Sequence, residues 1–397
     1  TAILLAVVSW TLLMLGAPAI FPQNPAAQDY VHGELGHHLS EIAEILFFLM
    51  GAMTIVELID AHQGFKVITD RITTTSRVTL LWIVGLITFF LSAALDNLTT
   101  TIVMISLLRK LVGNQEDRWF FAGIVVIAAN AGGAWSPIGD VTTTMLWIGN
   151  QITSLSIMKQ LFLPSLVCIV VPLLVLSFRM QGQVQRPEAI DFQEDRLDPT
   201  TSFERNVVFA LGIGALLFVP IFKTVTHLPP YMGILLGLGV LWLATEILHR
   251  DKNDEDKHPL SVVGVIRRID TPSILFFLGI LLAVSSLATA GHLTQVAGWL
   301  KDTLGNVYVI NVAIGLLSAI VDNVPLVAGA MKMYPLISAE SLASAGAQAE
   351  WLQHFKQNGT FWEMLAFCAG TGGSCLIIGS ASGVAAIFAQ GLNAIKN

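Results

Sequence analysis

The sequence predicts an all-α polytopic membrane protein, an inverted-topology repeat with two re-entrant hairpins and two broken transmembrane helices. Three observations lead there: an apolar composition, two acids in matching apolar surroundings, and two glycine-rich interruptions. The 397 residues are 54% hydrophobic and 12% charged, with a mean hydropathy of +0.70. An ordinary soluble domain carries about 25% charged residues. Repeated apolar runs of about 18–20 residues suit helices, which satisfy their own backbone in lipid. The alternating segments of a membrane barrel, about 10 residues each, are absent. A net charge of −7 with no basic run argues against a nucleic-acid partner. Cys168, Cys368 and Cys375 lie in apolar stretches without metal-ligand spacing and read as small buried hydrophobes.

Taken in order, the chain opens with an apolar run over 2–20, read as a membrane helix rather than a signal-peptide core. Residues 21–40 form a loop with His32, His37 and His38 but no Lys or Arg, followed by a span over 42–59. Residues 60–76, with Lys66 and Arg71 beside Phe65, Val67 and Ile68, read as an amphipathic surface helix. The positive-inside rule puts that helix in the cytoplasm and the Arg-free loop outside. The next apolar run, 78–112, would be about 52 Å long as one helix, against a hydrocarbon core of about 30 Å. Both of its ends are basic, with Arg71 and Arg77 before it and Arg109, Lys110 and Arg118 after it. A hairpin with Asp96-Asn97 at its tip satisfies the charge rule. No polar loop surrounds the tip, which favours a re-entrant hairpin buried in protein.

Residues 119–150 are interrupted at 130–140 by three glycines and Pro137, which unwind a helix and free its carbonyls. Such breaks line substrate sites in transporters. A span over 157–178 completes the first repeat, 1–180, and a polar linker over 181–204 leads to the second, 205–397. The second half has spans over 206–222 and 231–248, a basic loop over 250–270 and a span over 273–288. A surface helix over 291–301 and a hairpin over 306–336 follow, with Asp322-Asn323 at the tip. After a loop over 337–360 comes a broken helix over 361–395, interrupted from Gly370-Thr371-Gly372-Gly373 to Gly379-Ser380. The repeat can be checked in three places: Ile45–Leu49 against Ile274–Leu278, the two Asp-Asn tips, and Gly132-Gly133…Gly139 against Gly372-Gly373…Gly379. Nothing after Asn397 matches 157–178 and nothing before Thr1 matches 206–222, so trimmed ends are expected.

An acid in mid-membrane costs about 2.5–3.5 kcal/mol even on the lenient insertion scale. Asp96 and Asp322 bear that cost twice, in related hairpins, and read as a cation site rather than as simple helix caps. Asn97, Asn323, Thr99 and Thr100 add hard oxygens suited to a small ion such as Na⁺, for which Asp96 and Asp322 are the expected ligands. Asp140 begins a new helical run ahead of Thr142 and Thr143, so it is expected both to cap that run and to join the site. Asn130 and Thr371 open the two breaks and complete the candidate set, with Ser380 and Ser382 as weaker members. Glu57 and Asp60 read as solvated helix-end charges, and the three histidines as loop residues. A carboxylate withdrawn from water also binds protons. If Na⁺ and H⁺ compete for the same acids, alternating access makes the protein an exchanger with no cofactor and no ATP site. No phosphate-binding glycine-lysine motif is present.

At these residues the sequence resembles a known family. Ser92–Thr101 ("SAALDNLTTT") and Asn130–Trp147 ("NAGGAWSPIGDVTTTMLW") resemble the NhaD-type Na⁺/H⁺ antiporters of the ion-transporter superfamily. Thr54–Phe65, Ser318–Met331 and Gly370–Ala385 fit the same pattern. The resemblance covers most of the chain and implies Na⁺ export, with Li⁺ as a second cargo, in exchange for protons. It also implies a homodimer moving by an elevator-like motion in a bacterial inner membrane or a membrane of bacterial origin. Related dicarboxylate carriers have neutral Ser-Asn-Thr tips. The Asp-Asn tips here disfavour a carboxylate substrate by direct repulsion, and the alternative reading is an arsenite or organic-anion carrier of the same superfamily. A membrane enzyme would need a catalytic dyad or a large soluble domain, and the sequence offers neither.

Overall fold

The computed structural model describes residues 1–187, 200–376 and 379–391. The middle of the linker, Ile377-Ile378 in the second break, and the end of the last predicted span up to Ile395 lie outside the described residues. The first half comprises α1 (Ala2–Ile20), α2 (Ala27–Ala61), α3 (Lys66–Thr69), α4 (Arg77–Ala94), α5 (Asn97–Leu111), α6 (Gln115–Ala134), α7 (Val141–Ile148) and α8 (Ser154–Arg179). Then come α9 (Ser202–Thr226), α10 (Pro230–Leu248), α11 (Asp254–Lys257), α12 (Val262–Ile266), α13 (Thr271–Thr289), α14 (His292–Leu304), α15 (Val307–Leu317) and α16 (Asn323–Met333). Two short turns, α17 (Ala339–Ala343) and α18 (Ala349–Leu352), precede α19 (Thr360–Gly372) and α20 (Ala381–Gly391). Among the described residues seven helices are long and apolar enough to cross a membrane, namely α1, α2, α4, α8, α9, α10 and α13. The protein is an all-α, multi-pass membrane protein.

Side-chain caps set many of the boundaries. Ser76, Asp96, Asn114, Asp140 and Asp270 each accept a backbone N–H in the first turn of the helix they precede. Thr201 and Glu204 close a full capping box on α9.

Two expectations are corrected. The loop expected over 21–40 is helical from Ala27 onward, because no proline follows Pro25 and the segment has an apolar face to bury. That face, Ala27 and Val31, packs on Trp10, Leu13 and Ala17 of α1, and the Trp10 indole N–H donates to the Leu282 carbonyl of α13 at 2.8 Å. The surface helix expected over 60–76 shrinks to the single turn of α3, since Gln63 takes a positive φ of 56° immediately after α2.

The helices sort into two packed groups. Helices α1, α2, α9, α10 and α13 pack on one another, while α4–α8, α15, α16, α19 and α20 form the other body. The two bodies meet chiefly where α13 lies on α16 and α2 on α7. Within the second body α4 lies on α6, and α15 lies on α19 in the matching place. The second arms cross over, with α5 lying on α20 as well as on α6 and α16 on α7 as well as on α13, so each is buried in part by the other half of the chain. Helices α15 and α16 splay from their break instead of lying side by side.

The matching places agree down to single contacts. Ser92 Oγ donates to the Ala129 carbonyl at 2.6 Å, and Ser318 Oγ donates to the Ala369 carbonyl at 2.8 Å. Gly132 lies against the carbonyl of Phe89, and Gly372 against the carbonyl of Gly315, both closer than a Cβ would permit.

Where α2 and α10 end, His62 and His249 stack with ring centroids 5.0 Å apart, and their Nε2 atoms approach to 3.3 Å. His62 Nδ1 is 2.7 Å from the Leu58 carbonyl, so it carries the proton, and His249 donates to the free His62 Nε2. Burial, then the neighbouring His62 and Lys252, pull the His249 imidazole down from 6.5 to about 4, and burial lowers His62 as well. The unfolded chain therefore takes up protons that the folded pair refuses, and stability present above pH 6.5 is lost as the pH falls toward 4. The thermal unfolding midpoint in detergent is expected to drop across that window. His249→Gln, which keeps a hydrogen-bonding side chain without titrating, should flatten the profile, and an unchanged slope would refute the assignment.

Candidate functional site

Four helix starts converge on one small space. Asp96 precedes α5, Asp140 precedes α7 and Asp322 precedes α16, and Ser380, before α20, stands where Asp140 stands in the first half. Asp96, Asn97, Thr99, Asp140, Asp322 and Asn323 line a single cavity of about 40 Å³. That volume admits little more than a bare ion and one water. Its opposite wall comes from the other body and is mainly apolar, made by Leu49 and Met53 of α2 with Ser273, Ile274 and Phe277 of α13.

Asp140 is the hub. Its Oδ1 accepts from the Thr142 N–H at 2.8 Å and from the Thr142 hydroxyl at 2.7 Å, which caps α7. Its Oδ2 accepts from the Asn97 amide at 2.6 Å, and the Asn323 amide approaches both oxygens at 3.4–3.5 Å. One buried carboxylate therefore ties together the tips of both predicted hairpins. The Asn97 amide also donates to Asn130 Oδ1 at 3.0 Å, and Asn130 in turn donates to Ser374 at 2.9 Å and Ser380 at 3.0 Å. With their N–H groups committed to protein acceptors, Asn97 and Asn323 keep their amide carbonyl oxygens as free ends.

The two tip acids differ. Asp96 is held at both oxygens by Thr99, through the backbone N–H and the hydroxyl, each at 2.7 Å. Asp322 makes no capping bond, and its Oδ1 is buried with no hydrogen-bond partner among the described residues. A buried acceptor left open in this way costs about 1–3 kcal/mol, more when charged, unless something fills it.

Three members of the predicted set are placed elsewhere. Thr100 is fully buried and does not line the cavity. Thr143 donates to the Asp140 backbone carbonyl at 2.8 Å, which helps to fix the hub without facing the space. Thr371 bonds back to the Phe367 carbonyl at 2.5 Å, within its own helix. Sequence reasoning missed Ser374, which holds Asn130, and the scaffold wall. Ser374 lies inside the second glycine-rich break, and that position was its only signal. Among the described residues no three His, Cys, Asp or Glu side chains form a cage for a resident metal. The oxygens gathered at the cavity, carboxylate and amide, are hard donors.

Discontinuous helices whose starts and acids meet in a small buried cavity define a transport protein of the broken-helix class. A family model described as "Citrate transporter" (CitMHS) matches residues 1–352. The chain belongs to this family of transporters, as a member of the NhaD type. It is 52% identical over 385 residues to sodium/proton antiporter 1 of Arabidopsis thaliana, covering 96% of this chain and 62% of that protein. It is 51% identical to sodium/proton antiporter 2 of the same plant, over 88% of this chain and 79% of that protein. With the Na⁺/H⁺ antiporter NhaD of Vibrio cholerae it shares 31% identity, over 91% of this chain and 75% of the relative. The chain therefore spans less than two thirds of the length of the first of these relatives.

Proposed function

We propose that the protein exchanges Na⁺, and Li⁺ as a second cargo, for H⁺ by alternating access, with no cofactor. The relatives' names support the pair of ions, and the shared hub on Asp140 carries the mechanism. A desolvated Na⁺ takes its ligands from the Asp96, Asp140 and Asp322 carboxylates and the carbonyl oxygens of Asn97 and Asn323. Protons neutralise the same acids in the ion's absence. Either cargo reduces the charge that α5, α7 and α16 present to the apolar wall of α2 and α13. An uncompensated cluster is too costly to carry past that wall, which couples the two fluxes.

On this reading the α4–α5 hairpin and the opened α15–α16 pair are re-entrant and enter from opposite sides, and the body of α4–α8, α15, α16, α19 and α20 moves against the other as an elevator. The family's homodimer and a bacterial inner membrane, or a membrane of bacterial origin, complete the proposal. Citrate, the cargo that the family description names, is disfavoured because three carboxylates line the cavity.

Proteoliposomes given an inward Na⁺ gradient should move protons outward, as followed by a pH-sensitive dye. Asp96→Asn and Asp322→Asn should each suppress that flux. If both leave exchange intact, the shared-site mechanism is wrong, and citrate uptake indifferent to Na⁺ and pH would favour the organic-anion reading.

A further inference from the structure

A second cavity, of about 460 Å³, lies between the two bodies and is lined by His38, Glu41 and Glu44 of α2 and by Lys332 at the end of α16. It stands in register with the ion cavity on four helices. On α2 Ile45 lines the larger cavity and Leu49 the ion cavity, and on α13 the corresponding residues are Leu281 and Phe277. On α16 they are Ala328 and Val324, and on α7 they are Met145 and Val141. Every one of these steps is four residues, about one helical turn or 5.4 Å. The two spaces are thus stacked along one axis and separated by a single layer of apolar side chains.

The charges of the larger cavity are not equivalent. Lys332 donates to Glu41 at 2.6 Å and sits 3.2 Å from His38 Nδ1, which pins the end of α16 to α2. His38 also approaches Glu34 at 3.6 Å and Thr289 at 3.3 Å. Glu44 lines the same space with no hydrogen bond or ion pair of its own among the described residues. The nearby Lys223 is committed to the Trp147 carbonyl at 2.5 Å and the Trp147 ring at 4.7 Å.

We propose that this cavity is the outer vestibule through which the transported cation passes, with Glu44 as the residue that concentrates cations at its floor. The inference rests on the antiport reading for the nature of the cargo. The outer side follows from the basic segment 250–270, which leads into α13 at the end away from Leu281 and Ser285. Glu44 is the acid of this concave, low-dielectric space that no ion pair closes, with Lys223 acting on it only through space while bonded to Trp147. Such an acid raises the local concentration of cations and favours their entry over anions. The Lys332–Glu41 contact joins the two bodies directly above the apolar layer, so it must part for the layer to open.

The test places one cysteine at the vestibule floor, Ala328→Cys, in a chain whose Cys168, Cys368 and Cys375 are serine. Exchange before labelling reports on the antiport reading alone. An impermeant cationic methanethiosulfonate added from the outer face should modify Ala328→Cys, as read by mass spectrometry, and block exchange. Met331→Cys serves the same purpose if Ala328→Cys is poorly produced. Adding Glu44→Gln should slow the cationic reagent about fivefold and speed an anionic one by a similar factor, the effect of one nearby unit charge in water on each. It should raise the outer KM for Na⁺ by a similar factor while kcat holds. Modification from the cytoplasmic face alone, modification without block, or a reagent ratio indifferent to Glu44→Gln would each overturn the proposal. If exchange is absent even before labelling, it is the antiport reading that has failed, and the labelling pattern still reports whether the vestibule is open to the outside.

Discussion

Asp140→Asn is expected to abolish exchange while leaving the protein folded. The substituted amide can still accept the Thr142 N–H through its oxygen, so the cap on α7 survives. Its NH₂ group then faces the Asn97 and Asn323 amides, which are donors, and two contacts turn from attractive to repulsive. Hydrogen bonds to charged groups are worth about 1.5–3 kcal/mol each. Losing two of them, together with the ion's own carboxylate, corresponds to at least about a 100-fold fall in Na⁺ affinity, at about 1.4 kcal/mol per tenfold. Flux in proteoliposomes and the unfolding midpoint in detergent separate the two effects. An Asp140→Asn protein that keeps more than a small fraction of wild-type flux would remove the hub from the mechanism. One that fails to fold would make it structural.

Gly132→Ala is expected to cost the fold itself. A Cβ at this position would penetrate the Phe89 backbone, and the obstacle is a carbonyl rather than a side chain that can swing aside. Overpacking of this kind costs about 1–3 kcal/mol or more. It would push α4 away from α6 and with it the segment from Ser92 to Asp96 that ends at the ion cavity. Gly123→Ala, in the same helix, meets nothing within 4 Å and is the control. Replacing a helical glycine there should be neutral or stabilising by about 0.5–1 kcal/mol. Equal unfolding midpoints for the two variants would show that the close approach of α4 and α6 is dispensable.

The acids that line the cavity were legible because membrane segments advertise their exceptions. Asp96, Asp322 and the break around Asp140 stand out against apolar flanks, and an unpaired acid in lipid has few explanations. Thr371 illustrates the opposite case. A threonine in a helix can always satisfy its hydroxyl on the carbonyl four residues back, and its neighbours in sequence do not reveal that choice. Leu49, Met53 and Phe277 were invisible for a related reason. In lipid every helix face is apolar, so periodicity does not distinguish the face on an ion cavity from the face on acyl chains. The helix over 27–40 was obscured by its polar residues, which read as a loop until α1 is seen packing against Ala27 and Val31.

The correspondence between Asp140 and Ser380 has one more consequence. The two halves repeat their packing at Ser92 and Ser318 and at Gly132 and Gly372, yet where one half has Asp140 the other has the hydroxyl of Ser380, and the place of Asn130 is taken by Gly370. The electric field inside the cavity therefore has a handedness that the frame lacks. On the antiport reading an ion held there lies toward the α7 side rather than the axis, so its two directions of travel meet different barriers. This single unmatched carboxylate then sets the rates of the two half-cycles apart, while the ion gradients alone set the net direction.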